Sequence, residues 1–161
     1  MQTPKKKARF QAAALPYRVE DGQASILLVT SRETRRWVIP KGWVDKGEKP
    51  FQAAKREAFE EAGLTGKVSK STFGVYSYDK RLPDGTFLPC DVKVYPLKVE
   101  AQKKKWPERG LRDGRWFSPE EAAIAVDEPG LKALISRFAA ATSAVPEPDE
   151  AEIALSAVRA A

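Results

Sequence analysis

An α/β domain is what this 161-residue chain predicts, on three observations. Aliphatic and β-branched runs of strand length are bounded by turn residues. Helical segments interleaved with them carry their own start and stop signals. A hydrophobic share of 42% with 31% charged residues suits a globular domain that buries its own core.

Phe10 to Val19 is a mixed apolar segment that predicts a first strand, and Glu20-Asp21-Gly22-Gln23 is its turn. Ser25 to Thr30 (SILLVT) is a second strand, and Trp37-Val38-Ile39 a short third, stopped by Pro40. Lys41 to Glu48 predicts a loop. A helix follows from about Pro50 to Ala62, with Pro at its start and Gly63 just past its end, where steric preference puts them. After Gly66 a single strand is expected from about Val68 to Lys80. The turn Leu82-Pro83-Asp84-Gly85 leads to another over about Cys90 to Val99, so the pair reads as a hairpin. Lys103-Lys104-Lys105-Trp106-Pro107 opens a basic loop, and Arg115-Trp116-Phe117 is a short strand. Ser118-Pro119-Glu120-Glu121 is a capping box that starts a helix to about Val126. Leu131 to Ala141 is again helical, with Leu131, Leu134, Ile135 and Phe138 on one face. The chain thus divides into a basic arm (1–9), one domain (10–141) and an acidic Ala/Pro-rich tail (142–161). Within the tail, Val145-Pro146-Glu147-Pro148 is a linker and the last dozen residues form at best a weak helix.

The chain has no His and one Cys. That removes Ser-His-Asp and Cys-His nucleophiles, His-containing zinc sites and an intrachain disulfide, and leaves chemistry to Asp, Glu, Lys, Tyr or a hard cation held by oxygens. Cys90 reads as a small buried hydrophobe. The net charge of +6 is uneven. The tail holds four acids against Arg159, so the preceding 141 residues carry 27 basic and 18 acidic side chains, a body of +9 that prefers anionic partners. The arm lacks the apolar core of a secretory signal and no apolar run approaches a membrane span, so a cytoplasmic protein with no membrane partner is expected.

On the helix from Pro50, Glu57, Glu60 and Glu61 fall in one stripe, while Phe51, Ala54, Ala58 and Ala62 fall on an adjoining one. A solvated acidic face would be knitted by i,i+4 ion pairs, yet only Arg56 with Glu60 has that spacing. Two carboxylates 5 to 6 Å apart repel by roughly 3 kcal/mol at an effective dielectric near 20. A cation between them is therefore expected, and oxygen ligands without His or Cys suit Mg²⁺, or Mn²⁺ in its place. Gly42, in the loop feeding the helix, allows a close backbone approach to an ion or phosphate.

Gly42, five residues, Glu48, seven residues, then Arg56-Glu57-Ala58-Phe59-Glu60-Glu61-Ala62-Gly63-Leu64 resembles the whole Nudix box, G-x5-E-x7-R-E-U-x-E-E-x-G-U. Ala12 to Arg18, Leu27 to Arg32, Arg36 to Gly42 and Gly114 to Phe117 look like the diphosphoinositol polyphosphate and diadenosine polyphosphate hydrolase branch. The resemblance covers about residues 11 to 126. It implies a Nudix fold, an α/β/α sandwich around a mixed β-sheet, and hydrolysis of a nucleoside diphosphate linked to another moiety. It also implies Mg²⁺ held by Glu57, Glu60 and Glu61, often with the Gly42 carbonyl, and with Glu48 either a further ligand or a brace for the loop. Arg56 becomes an orienter of the glutamates. Arg18, Ser31, Arg32 and Arg115 stand where the branch holds its phosphate-rich substrate, and Lys41, where Gly often stands, either adds a phosphate contact or only makes the loop more basic.

Phosphoanhydride cleavage needs neutralised phosphates, an aligned water and a base. Without His the base is a carboxylate or the metal, with Glu57 favoured and Glu120 second. Arg18 and Arg32, at strand ends, could equally be solvated surface arginines, and Lys103, Lys104 and Lys105 a solvated loop or a basic lid. Trp43 and Trp106 are the candidates for stacking on a base, Trp37 and Trp116 for the core. The expected activity is a Mg²⁺-dependent pyrophosphohydrolase acting on a diadenosine or diphosphoinositol polyphosphate, with no stable nucleic-acid complex. A housekeeping hydrolase of nucleoside triphosphates or nucleotide sugars is the alternative substrate reading. A non-catalytic phosphate-ligand or RNA-binding module is the alternative class.

Overall fold

The computed structural model describes residues 9 to 144, so the N-terminal arm before Arg9, the Pro-rich linker and the Ala-rich C-terminal segment lie outside the described residues. The elements run β1 (Arg9–Glu20), β2 (Gln23–Thr30), β3 (Trp37–Val38), β4 (Lys41–Trp43), α1 (Pro50–Ala62), β5 (Leu64–Val68), β6 (Gly74–Arg81), β7 (Phe87–Gln102), β8 (Gly114–Phe117), α2 (Pro119–Ala125) and α3 (Pro129–Ala144). The strands join one sheet of backbone order β3-β2-β1-β7-β5, with β4 on β1, β6 on β7 and β8 on β2. It is mixed because β1 and β7 run parallel from Arg9↔Cys90 to Tyr17↔Lys98, while the other pairs are antiparallel.

Period-two alternation gives this sheet two buried faces. Ala13, Leu15, Ile26, Leu28, Val92 and Val94 pack under α2 and α3, against Leu131, Ile135 and Phe138. Ala12, Ala14, Leu27, Val29 and Leu97 pack under α1, against Ala54, Ala58 and Ala62. Alanine on both sides of that second interface lets helix and sheet approach closely. The result is an α/β/α sandwich, and it seats the alanine stripe of α1 on the sheet so that the neighbouring glutamate stripe is fixed at the sheet's end.

Local chemistry sets the turns. Asp21 and Gly22 both have positive φ, as a two-residue hairpin turn requires. Asp84 accepts hydrogen bonds from Thr86 N–H and Oγ1–H and shapes the β6–β7 hairpin with Gly85 at φ +86°. Ser118 Oγ accepts from the Glu121 N–H and starts α2.

Two expectations need correction. Lys41 to Trp43 is a strand: Gln11↔Trp43, Ala12↔Gly42 and Ala13↔Lys41 pair it to β1, a long-range contact that a three-residue run with a central glycine does not advertise. The strand expected from Val68 to Lys80 is two, β5 and β6, separated by residues 69 to 73. Gly66 interrupts nothing; it sits inside β5 at a bulge against β7, where a Cβ would overlap the Lys98 carbonyl. Cys90 is fully buried, as expected.

Candidate active site

One turn and a half of α1 brings Glu57, Glu60 and Glu61 to the end of the sheet where β2 and β4 finish. Glu61 is only 4% exposed. Its Oε2 accepts from the Lys41 backbone N–H at 2.8 Å, and its Oε1 lies 3.1 Å from Arg112 Nη2. Arg56 organises the others with a single guanidinium. It donates through Nε and Nη2 to both oxygens of Glu48, each at 2.9 Å, through Nη1 to Glu57 at 2.7 Å and Glu60 at 3.3 Å, and through Nη2 to the Trp43 carbonyl at 3.0 Å. Such bidentate, charge-assisted bonds fix direction as well as distance. Glu48 Oε1 also accepts from the Asp45 N–H, so this carboxylate ties the β4–α1 loop to the helix. Gly42 faces Glu57 so closely that a Cβ would overlap its carboxylate.

Burial pushes the Glu61 carboxyl up to about 8, against the pull of the Arg112 guanidinium. Burial raises Glu57 as well, against Arg56. Glu48 moves the other way, held down by its hydrogen bonds from Arg56. Six carboxylates, those of Asp45, Glu48, Glu57, Glu60, Glu61 and Glu108, thus share two arginines, all the donors are hard oxygens, and burial makes the surplus negative charge costly. A divalent hard cation fits that donor set. Among the described residues no three acidic side chains already converge on one point as a ready cage, because the arginines hold them.

The other face of β4 carries a second group. The Lys41 side chain leaves on the side away from α1, its Nζ 5.2 Å from the Tyr78 ring. Burial lowers its pKa, while Glu61 and Glu128 raise it. Glu128, between α2 and α3, is 3.6 Å from Arg36 and has its second oxygen buried without a hydrogen-bond partner among the described residues. Tyr78 donates to Gln11 Oε1 at 2.6 Å. Glu128, Tyr78, Gln11, Arg36 and Arg112 carry no motif; the pairings of β4 and β6 and the turn after α2 gather them, and only an unexplained buried charge could have marked them.

The remaining expected residues spread out. Ser31 lies just past β2, its Oγ accepting from the Arg36 N–H, and Arg32 beside it is exposed. Arg18 stacks on Trp116 at 4.1 Å. It stands six residues along β1 from Ala12, the partner of Gly42, and so roughly 20 Å from the carboxylates. Arg115 is exposed on β8, over the Phe117 ring on the face away from α1. Glu120 also stands across the sheet from Glu57, in a shallow pocket with Ser136 and Ala140. Trp37 packs edge-on against Phe117, and Trp116 joins the α1-side core. Trp43 lies 5.3 Å from Lys80 Nζ. Trp106 does not offer a stacking face as expected: its ring covers Gly63 and lies under the Arg109 guanidinium. The loop carrying it is anchored to α1 by Lys103 N–H to the Gly63 carbonyl and Glu108 N–H to the Glu60 carbonyl. Among the described residues no helix is long and apolar enough to cross a membrane.

The NUDIX domain family model matches residues 8–138. Nudix hydrolase 12, mitochondrial, of Arabidopsis thaliana is 31% identical over 130 residues, which cover 71% of this chain and 64% of that protein. Diphosphoinositol polyphosphate phosphohydrolase 3-beta of Homo sapiens is 34% identical over 115 residues, covering 70% of this chain and 65% of that protein. The chain thus spans just under two thirds of the length of these two relatives. The crystal structure of C. elegans Ap4A hydrolase superposes with a TM-score of 0.61 over 83% of this chain and 97% of that one, at 24% identity, and shares the fold.

Proposed function

The chain belongs to the Nudix hydrolase family, and from that premise we propose that it is a divalent-cation-dependent pyrophosphohydrolase acting on a small polyphosphate, a diadenosine or diphosphoinositol polyphosphate. The observation that carries the reading is the Arg56 hub, which aims three glutamates at the end of the sheet and seats Glu57 against Gly42. The names of the human relative and of the nematode structure support the substrate class. So does the +9 charge of the first 141 residues.

In this reading Glu57, Glu60, Glu61 and the Gly42 carbonyl would hold Mg²⁺. When bound, it supplies Lewis-acid polarisation of a phosphoryl oxygen and a more acidic water. Glu48 is the brace of Arg56. Arg56 keeps the glutamates from folding back on one another, and Arg112 with the Lys41 N–H fixes Glu61. Glu57 is the carboxylate that takes the proton of the attacking water. It stands with the box residues, where Glu120 does not. Lys41, Ser31 and Arg32 meet phosphate at the same end of the sheet. Arg18 and Arg115 meet the more distant part of an extended substrate.

A phosphate-release panel of dinucleoside polyphosphates, inositol pyrophosphates, nucleoside triphosphates and ADP-ribose with Mg²⁺ tests this. Release is expected from one of the first two classes and is lost on chelation. Glu60→Gln is expected to lower kcat by on the order of 10²- to 10³-fold, the rate equivalent of several kcal/mol, with an unchanged circular dichroism spectrum. Wild-type turnover by that variant, or no release from any compound, would overturn the proposal.

A further inference from the structure

The outer side of α1 carries a groove that the carboxylate site does not use. It runs between α1 and β5 and encloses about 830 Å³, with Phe51, Phe59 and Val68 in its walls and Lys55, Lys67 and Lys70 among its lining. The two phenylalanines and Val68 are only half-buried, and the three lysines are exposed. None of these lysines is in an ion pair among the described residues. β5 ends the backbone order of the sheet, so the groove opens at a sheet edge rather than against another layer. An apolar trough rimmed by three unpaired cations asks for an occupant that is apolar and acidic together.

We propose that the occupant is the chain's own segment 145–161. Its sequence supplies Glu147, Asp149, Glu150 and Glu152, followed at once by Ile153, Leu155 and Val158. Acids in the first half and aliphatic residues in the second match a lysine rim and an aromatic wall. The segment leaves α3 on the sheet face opposite α1 and reaches the groove by rounding the sheet edge at the loop 69 to 73. Near the end of α3, Phe138 packs on Phe73 with ring centroids 5.6 Å apart, and Arg137 donates to the Phe73 carbonyl. Phe73 closes the loop 69 to 73, whose Lys70 is a groove residue. Seventeen residues span at most about 55 Å when extended, and the groove takes up roughly 12 Å of that between Phe51 and Phe59 along α1, leaving the rest to round the sheet edge. Arg56 also lines the groove. A docked tail therefore rests against the residue that orders Glu48, Glu57 and Glu60, and the separate acidic tail and basic body seen in the sequence become two halves of one contact.

The full chain tests this through paramagnetic broadening of its amide resonances. Cys90 is the one cysteine and is fully buried, so Ser156→Cys provides a single accessible position for a nitroxide label. With the label on ¹⁵N-enriched protein, the amides of Phe51, Lys55, Phe59 and Lys67 are expected to lose most of their intensity. They should recover it in 1 M salt, where the Debye length falls to about 3 Å, and also when Glu147, Asp149, Glu150 and Glu152 are replaced together by their amides. Groove signals that keep their intensity in the labelled chain overturn the proposal, as does broadening that survives neutralisation of the four acids. A mixture of labelled chain without ¹⁵N and unlabelled ¹⁵N chain separates the sources. Broadening in that mixture would assign the groove to a second copy's tail and overturn docking within one chain.

Discussion

Gly42 and Glu57 occupy each other's space, and that pair shows how finely single residues set the site. A Cβ at position 42 would overlap the Glu57 carboxylate, which is the far end of a flexible side chain. Gly42→Ala is therefore expected to leave the fold nearly as stable as before, within about 1 kcal/mol, because Glu57 can swing aside. Activity should fall by on the order of 10²-fold, since a displacement of about 1 Å at a reacting group has that effect. Thermal melting and a Mg²⁺-dependent phosphate-release assay, run side by side, check both halves. At this scale the sequence revealed the box residues, whose spacing is local to one loop and one helix. It did not reveal Arg112, which reaches Glu61 from a loop about fifty residues downstream. Nor did it reveal Glu128, whose second oxygen, without a hydrogen-bond partner among the described residues, is visible only once β4 and the α2–α3 turn are neighbours. Along the helix Glu61 has no cation at i,i+4 spacing; across space it has Arg112.

The element that matters most is α1, and its boundaries at Pro50 and Ala62 are those the sequence predicted. Punctuation of this kind is legible because both signals are properties of single residues. Gly63 has φ +71° and returns its N–H to the last turn, while Trp106 lies where its side chain would be. Gly63→Ala must both enter the left-handed region and displace an indole. The expected destabilisation is at least about 2 kcal/mol in urea unfolding, well above the cost of an exposed Gly→Ala change. It would also release the 103–112 loop that carries Arg112. An unfolding midpoint equal to wild type would show that the indole is a loose cover rather than a lock. β4 and β5 were illegible for the converse reason: each is short, contains a glycine, and exists because a long neighbour, β1 or β7, offers it a hydrogen-bonding edge.

For the molecule as a whole, the raised Glu61 and Glu57 make stability depend on pH in a definite direction. The folded chain holds the Glu61 proton up to about 8, whereas an unfolded glutamate releases it near 4.5. Between those values the folded state binds more protons than the unfolded one, so stability falls as pH rises through the window and levels off above it. Glu48 acts oppositely, adding stability above its ordinary pKa that is lost as pH falls toward its depressed value. With no histidine in the chain, no imidazole titrates in the same window. The chelated protein is expected to lose melting temperature from about pH 5 to about pH 8, with Mg²⁺ restoring more at the upper end, where the carboxylates are ionised. Calorimetry with and without chelator measures this, and a flat profile would remove Glu61 from the account. The parallel ladder of β1 on β7 bears on a different property, the order of assembly. Arg9 meets Cys90, so roughly eighty residues must be looped before the central pair can form. The β6–β7 hairpin, being local, is expected to form before the β1–β7 pair. On the ribosome, α1 emerges with its glutamates before the sheet exists to hold them; the α1 face cannot close until the chain through Gln102 is free of the exit tunnel, and the other face waits for α3 as well.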